Sequence, residues 1–292
     1  MAAEHMKSWN IGNVEVTRIV ELNNHTDPLN FLLSDGSPEL MKKYDWLFPN
    51  FATPEGDMII SFQCFVVKTP DRKIMVDTCV GNERWREHEV FVNMQTSFLE
   101  DIAKAGCPPE SIDTVLCTHL HFDHVGWNTR KVGDKWVPTF PNARYLFSKK
   151  EWEHWKKVPR DGTVQAQHLI DSIQPVLDAK LTDFVESDHR ICKEIRLIPT
   201  PGHTPGHVSI HISSEGKDAV ITGDLLHHPI QMAEPDLPGN FCMDAQHACK
   251  TRRKFLEDYE NKKAFIIGSH FCDPTGGWII RDKRNWRFEK GM

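Results

Sequence analysis

The stretch Cys117-Thr118-His119-Leu120-His121-Phe122-Asp123-His124-Val125-Gly126 constrains this chain more than any other. Three histidines and an aspartate fall within six residues, directly after the apolar run 112–117, which reads as a buried strand ending in a tight loop. One loop histidine alone is most often solvated or packed. A cluster is different, because neutral imidazole and carboxylate are the natural ligands of zinc and its first-row neighbours. A loop leaving a strand end can turn several of them onto one point.

Strand patterns lead into three further polar loops. Residues 194–198 enter Gly202-His203-Thr204-Pro205-Gly206-His207, residues 219–221 enter Thr222-Gly223-Asp224, and residues 264–267 enter Gly268-Ser269-His270. Residues 58–67 and 73–77 read as antiparallel strands joined at Thr69-Pro70-Asp71-Arg72. Helical spacing marks residues 95–105, 165–177 and 244–259, and Ser148-Lys149-Lys150-Glu151 has the look of a capping box. A strand is expected at residues 14–22, at 144–147, at 208–212, and in a last pair at 278–280 and 286–288. No repeat of 20 to 50 residues is present. Strands and helices alternate in two halves, consistent with an αββα sandwich.

The chain has 292 residues, 39% hydrophobic and 26% charged, as expected of a globular protein with a sizeable core. Its formal charge of -6, with both signs interspersed, argues against nucleic acid or an anionic membrane as partner. No apolar run approaches the roughly 20 residues of a membrane span, and the start lacks the apolar stretch of a secretory signal, so a cytoplasmic location is expected. The eight cysteines show no Cys-x-x-Cys pair and read as reduced thiols. Cys272, two residues after His270, is read as packing rather than as a ligand. No Gly-x-Ser-x-Gly is found, which argues against a serine-nucleophile hydrolase of the α/β-hydrolase type.

The pattern His-x-His-x-Asp-His resembles the signature of the metallo-β-lactamase fold superfamily, and the three later loops resemble, in order, those that supply its next histidine, its bridging aspartate and its last histidine. The resemblance runs from about residue 58 to the C-terminus. It implies an α/β fold, an αββα sandwich of two mixed β-sheets flanked by helices. Residues 58–292 are then the catalytic domain, and residues 1–57 an N-terminal strand with an extended arm or lid of the same domain. It also implies two divalent metal ions, zinc by default, with manganese, cobalt or iron also suited to the donors. His119, His121 and His207 would hold the first and Asp123, His124 and His270 the second, with Asp224 as the bridge; His203 and His211 stay outside the set. Asp77 is either a carboxylate orienting a ligand histidine or a strand-end turn residue.

Thr222-Gly223-Asp224-Leu225-Leu226-His227-His228-Pro229, with Thr251-Arg252-Arg253, resembles the branch containing N-acyl-homoserine lactonases, other lactonases and methyl parathion hydrolases. His227 is a departure, standing where homoserine lactonases carry a tyrosine that polarises the substrate carbonyl. The branch implies hydrolysis of a lactone or carboxylic ester by a metal-bridging hydroxide, with Asp123 passing a proton to the leaving alkoxide. His227 is a donor or shuttle, or a histidine packed at the cleft rim. Organophosphate triester hydrolysis at the same site, and a non-catalytic metal-binding module, are the alternatives. Trp46, Phe48, Phe51, Trp85, Trp127, Phe241, Phe271 and Trp278 lie in loop-like stretches, and about half are expected to line a pocket for a small apolar ester or lactone. Residues 23–57, carrying Phe31, Leu32 and Leu33 among other large apolar groups, are expected to pack on a second subunit of a homodimer or to fold back as a lid.

Overall fold

The apolar and alternating runs become the strands of two large mixed sheets in the computed structural model, which describes residues 6–161, 163–260 and 262–291. Residues 1–5, part of the stretch read for an export signal, lie outside the described residues. Among the described residues no helix is long and apolar enough to cross a membrane. The chain divides into two units, one of residues up to Glu21 with Phe62–Glu186, the other of Leu22–Ser61 with the chain from Ser187.

The first nine strands are β1 (Met6–Ile11), β2 (Val14–Asp27), β3 (Met58–Lys68), β4 (Lys73–Val76), β5 (Thr114–Leu116), β6 (Thr129–Val132), β7 (Lys135–Pro138), β8 (Arg144–Ser148) and β9 (Thr182–Val185). Seven of them form a sheet in the order β1-β2-β3-β4-β5-β8-β9, while β6 and β7 make a separate hairpin. β3 and β4 pair antiparallel as the turn chemistry predicts, with the Thr69 hydroxyl accepting the Asp71 and Arg72 N–H groups. β4, β5, β8 and β9 run parallel, and β5 is buried along its whole length, as a central parallel strand requires. One correction concerns Ser148-Lys149-Lys150-Glu151. The helix does start there (Lys149–Trp155), but Ser148 makes no side-chain cap bond. Glu151 instead turns inward and accepts the N–H of Leu120 at 3.1 Å.

A buried ionic cluster ties the first unit together. Arg84 and Arg86 both bind Asp171, at 2.9 and 2.8 Å, and all three side chains are buried. Arg84 also donates to the carbonyls of Gly126 and Thr129, the segment that follows the histidine cluster. Burial alone would raise the Asp171 carboxyl, but the Arg86 hydrogen bond and the two guanidinium charges hold it below the usual carboxylate range.

The second sheet has the order of the chain itself: β10 (Ile195–Pro199), β11 (Val208–Ser214), β12 (Lys217–Ile221), β13 (Phe265–Ile267), β14 (Gly276–Asp282) and β15 (Asn285–Lys290). All pairs are antiparallel except β12 with β13, whose parallel register is reached through the helix Ala245–Tyr259. Asp244 caps that helix by accepting the His247 N–H at 2.9 Å. Gly202 lets the helix approach, since a Cβ there would lie 2.3 Å from the Ala248 nitrogen.

Residues 23–57 are more regular than their composition suggests. β2 runs on to Asp27, and short helices follow at Leu29–Leu32 and Pro38–Met41, the second capped by the Ser37 hydroxyl. The segment is latched onto its own unit: Leu33 bridges Gly239, the Ser34 N–H donates to the Pro238 carbonyl, and the Asn240 N–H donates to Leu32. Leu32, Leu33, Leu47 and Phe51 are buried in the single chain, Phe51 against Phe271 and Phe288, so their burial needs no partner. At about 1.5 to 3 kcal/mol for each fully buried side chain of this kind, that packing is substantial.

Two stability predictions follow from these interiors. Asp171→Ala strands two buried guanidinium groups and is expected to cost roughly 3 to 5 kcal/mol in urea unfolding; a loss under 1 kcal/mol would refute the role of the cluster. His228 in the second unit is saturated, donating through Nε2 to the Phe51 carbonyl at 2.7 Å and accepting the Ile230 N–H at Nδ1. Burial pushes its imidazole down to about 4. The unfolded chain takes up that proton near pH ~6.5, so the unfolded state binds more protons between the two values. Stability is then lost as pH falls from 6.5 through 4, by up to roughly 3 kcal/mol from this group. His228→Gln should flatten that part of the curve, and an unchanged slope would count against it.

Candidate metal centre

In the first unit the site begins where β4 ends. Asp77 has a left-handed backbone (φ 58°), and its N–H donates to the Leu116 carbonyl of β5 at 2.9 Å, so the ends of the two parallel strands are tied. Its carboxylate accepts the Thr118 N–H at 2.7 Å, the Thr118 hydroxyl at 2.9 Å and the His124 Nδ1–H at 2.9 Å. Of the two readings of Asp77, the geometry selects the carboxylate that orients a histidine. The residues after β4 zip onto the helical turn beyond the cluster: Thr78 N–H to His124 O, Gly126 N–H to Cys79 O, and Trp127 N–H to Thr78 O. Only glycine fits at position 126, where a Cβ would lie 1.9 Å from the Val80 carbonyl oxygen.

The proton inventory of the loop follows from these contacts. Thr118 gives its one hydroxyl proton to Asp77, so toward His119 Nδ1, at 3.1 Å, it is an acceptor. His119 therefore carries its proton on Nδ1 and its lone pair on Nε2. That Nε2 faces His121 Nδ1 at 3.0 Å. His124 is fixed in the same tautomer by Asp77, and its Nε2 lies 3.5 Å from Asp123 Oδ2. His119 with His121, and Asp123 with His124, thus offer ligand atoms in pairs within 4.8 Å of each other.

The second unit assembles its own set at the ends of β10, β12 and β13. Asp224, almost fully buried, has three imidazoles on its carboxylate: His203 Nε2 and His227 Nε2 each 3.2 Å from Oδ2, and His270 Nε2 3.2 Å from Oδ1. His270 donates its Nδ1–H to the Ser61 carbonyl at 3.0 Å, which leaves the lone pair on Nε2. His207 is held by a relay. Ser209 gives its proton to the Thr222 carbonyl, Thr200 gives its own to Ser209, and Thr200 can then only accept from His207 Nδ1. His207 Nε2 accepts the Asp224 N–H at 2.9 Å. Among the described residues neither ring nitrogen of the buried His227 makes a hydrogen bond, although Nε2 is within ion-pair distance of Asp224. Arg252 steadies the loop from behind, donating to the Leu225 carbonyl at 3.1 Å.

His203 stands outside the ligand set expected from the sequence. Its Nε2 shares a ligand group with Asp224, while the His207 ring meets the Asp224 backbone. Both histidines sit in one glycine- and proline-rich loop, and spacing alone does not say which ring turns to the carboxylate. His211 pairs with Asp218 at 3.1 Å on neighbouring strands and stays outside the set. Cys272 packs against the Ser61 hydroxyl at 3.2 Å, and among the described residues the groups able to hold a metal contain no cysteine. The aromatics divide: Phe51, Trp127 and Phe271 are core, Trp46 and Phe48 are half-buried, and Trp85, Phe241 and Trp278 are exposed.

The residues fit divalent cations. The donors are imidazole and carboxylate, and the Nδ1 atoms of His119, His124, His207 and His270 are directed to acceptors within the protein, which turns Nε2 the other way, the arrangement that metal-binding histidines use.

Two mixed sheets with such loops at their strand ends define a metal-binding α/β protein. Residues 63–270 match the model of the metallo-beta-lactamase superfamily, and the chain belongs to that superfamily. It is 26% identical over 238 residues to an N-acyl homoserine lactonase of Bacillus cereus, covering 77% of this chain and 87% of the relative. The N-acyl homoserine lactonase AiiA of Bacillus thuringiensis subsp. kurstaki is 23% identical over 75% of this chain and 84% of its own. Among solved structures, the hydrolase AbOPH of the beta lactamase superfamily aligns with a TM-score of 0.80 at 25% identity, over 99% of this chain and 98% of that one. AidC, a dizinc quorum-quenching lactonase, shares the fold with a TM-score of 0.80 at 24% identity, over 98% and 97% of the two chains.

Removing the Asp77 carboxylate as Asp77→Ala frees the His124 ring and the Thr118 backbone together. Metal affinity is expected to fall about 10- to 100-fold, read by competition with a chromogenic chelator. Undiminished affinity in the folded variant would show that Asp77 is only a turn residue.

Proposed function

We propose that this metal-dependent hydrolase holds two divalent cations and opens a lactone or carboxylic ester bond. The observation that carries the reading is the shared orientation of its histidines, with Nδ1 tied down and Nε2 presented in each set. His119, His121 and His207 hold one ion, Asp123, His124 and His270 the other, and Asp224 is their common ligand. Zinc is the default for these donors. Bound cations supply a Lewis acid for the carbonyl oxygen and a hydroxide nucleophile at neutral pH.

The chain's own groups do the rest. Asp123, whose side chain keeps 13% exposure beside a buried His124, is the carboxylate within reach of substrate and passes a proton to the leaving alkoxide. His227, whose Nε2 lies beside Asp224 and whose Nδ1 makes no hydrogen bond among the described residues, donates to the substrate carbonyl in place of a phenol. The relatives named N-acyl homoserine lactonase support the lactone class. The exposed edge-to-face pair Phe31 and Phe241, 5.4 Å apart, favours an apolar substituent on that lactone.

Reconstituted protein is expected to retain about two zinc ions per chain by elemental analysis, because the donor set exceeds one tetrahedral site. Asp224→Ala should lose the second ion and at least about 100-fold in activity, in keeping with removal of a metal's electrostatic stabilisation. In a panel of lactones, aryl esters and phosphotriesters, lactones with apolar substituents should turn over fastest. One ion or none, or a clear preference for phosphotriesters or highly charged esters, would overturn the corresponding half of the reading.

A further inference from the structure

Leu120, the residue between the first two loop histidines, is fully buried and has both its backbone groups held by side chains. Its N–H donates to Glu151 Oε1 at 3.1 Å. Its carbonyl accepts from the His168 imidazole, and the donor is Nδ1, because His168 Nε2 is buried and makes no hydrogen bond among the described residues. Glu151 belongs to the helix Lys149–Trp155 and His168 to the helix Val164–His168, and both are buried. The same Glu151 oxygen accepts the Trp155 Nε1–H at 2.7 Å. The Trp155 ring in turn stands edge-on to His168, with centroids 5.0 Å apart, and to His121, at 5.6 Å. Leu120, Glu151, Trp155 and His168 therefore form a closed ring of contacts, with His121 packed on one side of it.

Apolar side chains would fill this part of the core at lower cost. A buried carboxylate and a buried imidazole are penalised by desolvation unless their hydrogen bonds hold something in place. What they hold is the pair of peptide groups that sets the His119 and His121 rings. Resting on the metal-centre reading above, we propose that Glu151 and His168 are positioning residues which, by clamping the Leu120 peptide from both ends, fix the spacing and direction of those two imidazoles. Burial first, then the Arg86 charge and His121, pushes the His168 imidazole down to about 3, so it stays neutral at neutral pH. Residues that orient ligands from behind in this way are commonly worth 10- to 100-fold in metal affinity.

The test uses full-length protein loaded with Co(II), whose visible spectrum reports ligand geometry. His168→Leu is compared with His168→Asn, whose amide N–H can take the place of Nδ1–H. Cobalt retention against a chelator, the visible spectrum and the thermal midpoint are measured on each. His168→Leu is expected to lose half its cobalt at about 10-fold lower chelator concentration and to shift the visible band, and His168→Asn to restore most of both. Wild-type retention and spectrum in folded His168→Leu overturn the proposal. So does a fall in thermal midpoint alone, with cobalt retention per folded chain unchanged. If His168→Leu does not fold, Glu151→Gln decides in the same assay: a weaker acceptor for the Leu120 N–H should reduce retention several-fold, and unchanged retention overturns the proposal. Wild-type protein that binds no cobalt defeats the metal-centre reading, and the clamp with it, so the two failures are distinguishable.

Discussion

A buried carboxylate that has no place to put its charge except into the loop it organises is the constraint on which the first half of the molecule depends. Asp77 ends β4 in a left-handed conformation that an L-residue adopts at a cost of about 1 to 2 kcal/mol. It is kept there because its N–H ties β4 to β5 while its oxygens take up the Thr118 backbone, the Thr118 hydroxyl and His124. Any shift of the loop would orphan that carboxylate in a dry environment, so the tight turn and the histidine tautomers stand or fall together. The proton on Thr118 fixes His119 by the same logic, one hydroxyl serving as donor on one side and acceptor on the other.

The second half solves the same problem with neutral partners. His270 is fixed by a backbone carbonyl and His207 by a chain of hydroxyls that ends on the Thr222 carbonyl. Around Asp224 three imidazole nitrogens lie at one distance, 3.2 Å, and the backbone on either side is held by His207 and Arg252. A carboxylate with imidazoles on both of its oxygens is a donor set well matched to a cation.

The segment before the recognised motifs is tied to loops of its own unit. Residues 29–34 are latched to residues 237–243, and that stretch touches the site directly: the Met243 N–H donates to the His203 carbonyl, and Cys242 Sγ lies 3.5 Å from His203 Nδ1. Phe31 and Phe241 are therefore set on the same backbone that holds His203.

The sequence by itself determined the ligand chemistry and most of the elements, because both are written locally. Four loops of histidine, aspartate and glycine each follow a short apolar run, and the apolar runs at β3, β4 and β12 with the alternating run at β11 announce strands. The tertiary structure alone decided which partner each polar group meets. Glu151 reads as a capping residue and is instead a support for Leu120, 31 residues away. Arg84 and Arg86 carry no motif, yet they enclose Asp171, more than 80 residues on. His203 and His207 are indistinguishable in the chain and are separated only by which ring turns to the Asp224 carboxylate. The apolar groups of residues 23–57 call for a covering surface without saying which, and for Leu33 and Phe51 it is C-terminal loops and strands of their own unit. Periodicity records how deeply a residue is buried. A hydrogen bond between residues far apart in the chain leaves no local pattern, because its energy depends on a distance that exists only once the fold has formed.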